Sequence, residues 1–265
     1  MKILALDTSG QQAGAAIVDK YITLGEIMIN AQSGPKTWHH SEILMPAVER
    51  LFALSGQELG CMDYVAYTAG PGSFTGLRIG AATALGLARS INKPAVAVPT
   101  LDSLAYNVLC MIPFGGVSGV CICPGKPSGQ TQATCLIVPL MDARRGQVYT
   151  AIYRAGQSGE LTRITDYFAA PVNEVLERVG ELNAPAFFLG DGADVYKSEI
   201  VTGCPSASFA PANANRQRPA SVGLCAMHQV AAGIPVSQPE LIYIRDPQAV
   251  RNNPQLKTAT QTVKL

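Results

Sequence analysis

Lys2-Ile3-Leu4-Ala5-Leu6-Asp7-Thr8-Ser9-Gly10 is a short apolar run that ends on an acid, two hydroxyls and a glycine. An apolar run bounded by turn residues predicts a strand. Two more segments of strand length follow, Ala13 to Val18 and Thr23 to Ile29, with turns near Gly10 and at Asp19-Lys20. Together they predict an antiparallel meander. From Trp38 to Leu54 the period changes: Ile43, Leu44, Ala47, Val48, Leu51 and Phe52 recur at three- and four-residue spacing, the mark of an amphipathic helix. Pro46 inside it predicts a kink or an early start.

Tyr64 to Thr68 is the next strand, and Ala69-Gly70-Pro71-Gly72 a tight turn. Ser73 is placed to cap a helix running to about Ile91, rich in Gly76, Gly80, Ala81, Ala82, Ala84, Gly86 and Ala88. Small residues there permit close approach of a helix or sheet. Asn92-Lys93-Pro94 ends it, and Ala95 to Val98 is a further strand. Strand–helix alternation after a meander points to a mixed sheet covered by helices, an α/β fold.

Beyond residue 105 the pattern loosens. Cys110, Cys121, Cys123 and Cys135 lie among prolines and glycines, which reads as a surface insertion at about 110–134 with one short strand, Gly119 to Cys123. Thr134 to Met141 and Gln147 to Tyr153 predict a hairpin with a charged tip at Asp142-Ala143-Arg144-Arg145-Gly146. Pro171 to Val179 is a helix, Ala186 to Leu189 a strand, Gly190-Asp191-Gly192-Ala193 a second glycine turn, and Ser221 to Ala232 a last helix. The end is polar and mildly basic, with Arg245, Arg251, Lys257 and Lys264 against Asp246.

The 265 residues suffice for one large domain or two small ones, and 48% hydrophobic against 15% charged content excludes a disordered chain. Twenty basic against nineteen acidic residues leave a net charge of +1, too little for this chain to grip a nucleic-acid backbone on its own. Asp7 interrupts the first apolar run before a secretory core can form, and seven cysteines is an odd number. A reducing, cytoplasmic setting with mostly free thiols and no membrane span is expected.

Asp7-Thr8-Ser9 at a hairpin turn has two readings: the acid faces nucleotide phosphates through a metal ion, or it closes an Asx turn. Gly70-Pro71-Gly72-Ser73-Phe74-Thr75-Gly76 also has two: free amides at a helix N-terminus receive an anion, or a tight connection simply needs glycine. It lacks the lysine of a P-loop. Asp142 with Arg144 and Arg145 is either an anion-binding tip or a solvated one. His39 and His40 are adjacent and diverge by about 100° on a helix, so they do not make a metal pair.

Several segments resemble the TsaB (YeaZ) family. They are Lys2 to Ser9, His40-Ser41-Glu42-Ile43-Leu44-Met45-Pro46, the specific block Gly70 to Gly80, Pro99 to Ala105, Met141 to Tyr149, Gly190 to Ala193, and Leu241-Ile242-Tyr243-Ile244-Arg245. The insertion at 110–134 departs from the usual shorter connection. The resemblance implies an actin-like (ASKHA, ribonuclease H-like) two-lobe fold with mixed β-sheets flanked by helices. Its lobes would be 1–105 and a smaller 106–218, followed by a C-terminal helix and polar tail at 219–265. It implies a non-catalytic partner and activator of the TsaD transferase, which places the threonylcarbamoyl group on the tRNA adenosine next to the anticodon.

By the same resemblance the partners are a TsaD-type paralogue and a TsaE-type ATPase, with a homodimer when alone and tRNA met only through the complex. No cofactor is required by this chain; ATP or ADP with magnesium belongs to the complex. Asp7, Thr8, Ser9, Gly70, Gly72, Ser73, Gly190, Asp191 and Gly192 would be vestigial or weak phosphate contacts. Leu44, Met45, Leu77, Gly80 and Ala84 would form the dimer and partner interface. The transferase's metal-binding histidines fall on Thr100 and Leu104, so no catalytic or metal-ligating residue is expected here. The alternatives are a stand-alone actin-like ATPase or small-molecule kinase and, more remotely, a metallopeptidase.

Overall fold

The computed structural model describes residues 1–20, 22–31, 38–108, 135–156, 161–234, 240–245 and 263–264. The 110–134 insertion with its expected strand, and Asp246, Arg251 and Lys257 of the basic tail, lie outside the described residues. The chain divides into two units, 1–103 with 217–265, and 104–216.

In the first unit β1 (Lys2–Asp7), β2 (Gln12–Asp19) and β3 (Ile22–Asn30) form the expected antiparallel meander. α1 (His40–Ser55) continues unbroken through Pro46. The proline sits on the exposed face, where water can satisfy the carbonyl it leaves unpaired. β4 (Tyr64–Gly70) joins β1 in parallel. α2 (Phe74–Ser90) starts where expected: the Ser73 Oγ accepts the Gly76 amide at 3.2 Å. β5 (Ala95–Pro99) completes a sheet of order β3-β2-β1-β4-β5. α3 (Thr100–Tyr106) follows without a loop, an element that lacks a start signal in the sequence.

The pleat sorts the side chains. Leu4 and Leu6 of β1 and Tyr67 of β4 share one buried cluster with Leu44 and Leu51 of α1 and Leu77 of α2. Each buried leucine contributes roughly 1.5–3 kcal/mol. α1 and α2 thus cover one face of the sheet.

The second unit is built on β6 (Cys135–Asp142). The single strand expected from Gln147 to Tyr153 is broken in two. β7 (Val148–Thr150) pairs with Leu140 to Asp142, and β8 (Tyr153–Ala155) with Cys135 to Ile137. The break falls at Ala151 and Ile152. There the Ile152 amide turns away to the Thr165 hydroxyl, at 3.0 Å. β9 (Leu161–Arg163) pairs with β8, and β10 (Phe168–Ala170) with β7. α4 (Val172–Glu181) buries Val175, Leu176 and Val179 against Leu136, Val138 and Leu140. β11 (Ala186–Leu189), α5 (Asp191–Val195), α6 (Lys197–Gly203) and β12 (Ser208–Phe209) follow, with β11 parallel to β6 and to β12.

The chain then returns to the first unit. α7 (Pro219–Ala231) packs on β1 and β2, on the face opposite α1. A Cβ on Gly223 would lie 2.6 Å from a Val18 methyl, so helix and sheet meet closely. The sequence reading set 219–265 apart, whereas α7 is one of the two layers that bury the first sheet. β13 (Glu240–Leu241) pairs with β14 (Val263–Lys264). Among the described residues no helix is long and apolar enough to cross a membrane.

Candidate functional site

Asp7 ends β1 with its side chain 3% exposed. One carboxylate oxygen, Oδ1, accepts three hydrogen bonds: the Ser9 amide at 2.9 Å, the Ser9 hydroxyl at 2.7 Å and the Thr68 hydroxyl at 3.3 Å. The Asx turn is therefore real. The other oxygen, Oδ2, is buried and has no partner among the described residues. Burial pushes the carboxyl up to about 6 from an ordinary 3.8. The nearby Glu26 charge adds to the rise, and the bonds from Ser9 and Thr68 oppose it.

The glycine block is explained by packing. A Cβ on Gly70 would run into the Ile242 carbonyl oxygen, and one on Gly72 would lie 2.5 Å from the Ser9 oxygen. Gly76 would clash with the Thr8 carbonyl and the His40 ring, and Gly80 with the Thr8 hydroxyl. Thr8 Oγ1 in turn donates to the Gly76 carbonyl at 2.7 Å. The Ser73 amide donates to the Ser9 carbonyl at 2.7 Å, and the Gly76 amide is taken by the Ser73 cap. A phosphate cradle needs free amides over an open space, and here the chain itself takes the Ser73 and Gly76 amides. Asp7 Oδ2, an orphaned acceptor, fits a cation; the glycine turn, with two of its amides taken, is a poor fit for the phosphates that would accompany it.

His40 is the wedge of this corner, half-buried and hydrogen-bonded to the main chain of Gly10. Burial holds its ring below the usual histidine range, hence neutral at physiological pH. Its role is to join α1 to the β1–β2 turn and to α2.

In the second unit the Gly190 turn is likewise engaged. Its amide donates to Asn215 Oδ1 at 2.7 Å, and a Cβ there would strike the Leu140 carbonyl. Asp191 Oδ1 accepts the Asp142 and Gly192 amides, each at 3.0 Å, which ties the end of β6 to the start of α5. Burial raises the Asp191 carboxyl. Asn215 and Arg216 also hold Asp194, at 2.9 and 2.6 Å. At the hairpin tip, the Arg144 amide donates to Asp142 Oδ1 at 2.9 Å and the Arg144 side chain is 77% exposed. Arg144 and Arg145 both hold positive φ, 62° and 58°.

Residues 36–252 match the model of the TsaD family, described as tRNA N6-adenosine threonylcarbamoyltransferase. The tRNA threonylcarbamoyladenosine biosynthesis protein TsaB of Bacillus subtilis is 28% identical over 94% of this chain and 97% of its own length. TsaB of Escherichia coli is 30% identical over 60% of this chain and 58% of its own. The chain belongs to the TsaD family, on its TsaB (YeaZ) branch. A crystal structure of a Pseudomonas aeruginosa protein with similarity to peptidase YeaZ has the same fold. Its TM-score is 0.68 at 23% identity, over 92% of this chain and 99% of that one. The mixed sheets flanked by helices expected from the sequence are thus the architecture of this YeaZ-like fold.

The interface residues named for TsaB-like docking need correction in their placement. Leu44, Leu77 and Ala84 are at most 1% exposed, and Gly80 is buried against Thr8. These face the sheet because the apolar stripe of each helix is the stripe that builds the core. Of the five, Met45 alone presents an exposed side chain, at 38%. The outward faces of this TsaB-branch chain carry Met45, Glu49 and Arg50 on α1, and Thr75, Arg78, Ala82, Gly86 and Arg89 on α2.

Two long-range contacts of this TsaB-branch chain have no local signal in the sequence, although Leu241 to Arg245 is itself a family-like segment. One is the ion pair between Arg218 and Glu26, whose second oxygen accepts the Ala220 amide at 2.9 Å and so caps α7. The other is the strap Glu240–Arg245, whose Ile242 amide donates to the Ala69 carbonyl at 2.7 Å. Both join segments more than 150 residues apart, and only chain-long co-variation would have signalled them.

Proposed function

We propose that this chain is the non-catalytic partner and activator of the TsaD-type transferase in forming threonylcarbamoyladenosine on tRNA, in the cytoplasm. The observation that carries this reading is the alignment with the Bacillus subtilis TsaB protein along 94% of the chain. Thr100 and Leu104, the positions the resemblance assigns to the transferase's metal ligands, are both fully buried and offer one hydroxyl between them. The glycine turn, with two of its amides taken, also favours an accessory role over a stand-alone ATPase or kinase.

Docking uses the outward faces of α1 and α2. Gly86 lies mid-helix and exposed, with nothing within 4 Å of a would-be Cβ. Such a glycine weakens the isolated helix by about 1 kcal/mol. With Ala82 one turn before it, it lets another helix approach closely. A homodimer uses the same faces when the chain is alone. A TsaE-type ATPase, ATP or ADP with magnesium, and tRNA join through the complex, in keeping with a net charge of only +1.

The test is reconstitution of threonylcarbamoyladenosine formation from the transferase, the ATPase and the threonylcarbamoyl-adenylate synthase of the same source. Product should appear only when this chain is added, and Gly86→Arg should abolish it along with the heteromeric species in sedimentation. Full product without the chain would refute the activator role.

A further inference from the structure

Arg78 stands on the exposed side of α2, one turn before Ala82 on the row that continues to Gly86. Its guanidinium carbon lies 3.9 Å over the centre of the Phe74 ring. Its Nε donates to the Tyr243 hydroxyl at 3.3 Å, and the Tyr243 and Phe74 rings pack at a tilt of 41° with centroids 5.2 Å apart. Tyr243 is itself held because the strap just before it is anchored: Leu241 is 1% exposed, and the Ile242 amide is bound to Ala69. An arginine held by a ring and by Nε has little side-chain freedom left to lose. Its two terminal nitrogens have no recorded carboxylate partner among the described residues. α2 carries Arg78 and Arg89 and no acid anywhere along its seventeen residues.

We infer that Arg78, positioned by Phe74 and Tyr243, is the charged anchor of the α2 docking face and receives a carboxylate from the docking helix of the transferase chain. This rests on the docking reading above. Charge favours the transferase as occupant: an α2-to-α2 contact between copies sets arginine against arginine and leaves Glu49 of α1 as an acid that a second copy offers, whereas a paralogue is free to place a carboxylate opposite Arg78. The strap thereby becomes part of the docking surface, and Tyr243 acts through Arg78.

The test titrates the full-length chain against the transferase at low and high salt, with thermal unfolding of each variant as a folding control. Arg78→Met should weaken the heteromer about tenfold or more and flatten its salt dependence. Arg78→Lys should recover only part, because an ammonium cannot fork to a carboxylate. Tyr243→Phe should weaken binding by a smaller factor and add nothing on top of Arg78→Met. Unchanged affinity in Arg78→Met, additive losses with Tyr243→Phe, or a loss confined to the homodimer would each overturn the proposal. Gly86→Arg separates the two readings. If it breaks the heteromer while Arg78→Met does not, the anchor falls and the docking face stands; if neither does, both fall.

Discussion

The Ser73 amide donates to the Ser9 carbonyl at 2.7 Å, so the glycine turn is sewn to the first hairpin by main chain alone. Taken singly, each segment admits either a phosphate loop or a plain turn. Together they are two halves of one packed corner, and the side chains that matter there are those that are missing.

Gly76→Ala should destabilise the chain by about 1–3 kcal/mol, since the added methyl meets the Thr8 carbonyl and the His40 ring. Gly86→Ala should do the reverse, stabilising it by about 1 kcal/mol, because only helix propensity changes at that open site. Urea denaturation of the two variants side by side checks this; equal shifts of the same sign would contradict it.

The Asp7 carboxyl is raised in the folded chain to about 6, above its ordinary 3.8. The folded state therefore holds this proton more tightly than the unfolded state. Asp7 accordingly makes stability greatest below about pH 4 and lowers it as pH climbs to about 6, with no further loss above. Asp7→Asn should remove that slope and raise stability at pH 7 by up to about 3 kcal/mol. Denaturation midpoints at pH 4, 6 and 7.5 decide the matter: a lower midpoint for the variant at pH 7.5 would mean that the carboxylate is needed where it lies.

The Tyr67 hydroxyl is fully buried and has no partner among the described residues, and burial pushes it up to about 12. Tyr67→Phe should leave stability unchanged or raise it by about 1 kcal/mol. A loss larger than that, seen in thermal unfolding, would show that the hydroxyl is bonded after all.

Glu26 holds Arg218 and caps α7, with 14% of its side chain exposed. Glu26→Ala should weaken the chain by about 1–2 kcal/mol, from the cap and a partly screened ion pair. Hydrogen exchange should quicken first in α7; protection lost evenly over the whole unit would argue against a local cap.

The first sheet was legible because its signals are local. The apolar run at Leu4 and Leu6, the three- and four-residue spacing of Leu44 and Leu51, and the Ser73 cap each fix an element within a few residues. α3 was not read, because its seven residues are too few for a helical period to show and Thr100 follows β5 without a loop. The split between β7 and β8 was hidden for another reason: the Thr165 hydroxyl that draws the Ile152 amide away lies thirteen residues on. At the candidate site the residue types were identified and their meaning was not. Gly72 looks the same in sequence whether a phosphate or the Ser9 carbonyl faces it. The helices α1 and α2 were legible, but small residues on both faces of α2 left its outward side undetermined, and the contact of Gly80 with Thr8 is what settles it.

The first unit is discontinuous, with 104–216 inserted between its two parts. During synthesis, β1 to β5 therefore emerge with one face bare, because α7 and the strap are made more than a hundred residues later. A nascent chain cannot finish its N-terminal unit first, as most multi-unit chains do. Arg78 gains Tyr243 only when nearly the whole polypeptide is out. A product truncated before residue 217 would carry α1 and α2 on one face of a sheet whose other face lacks α7.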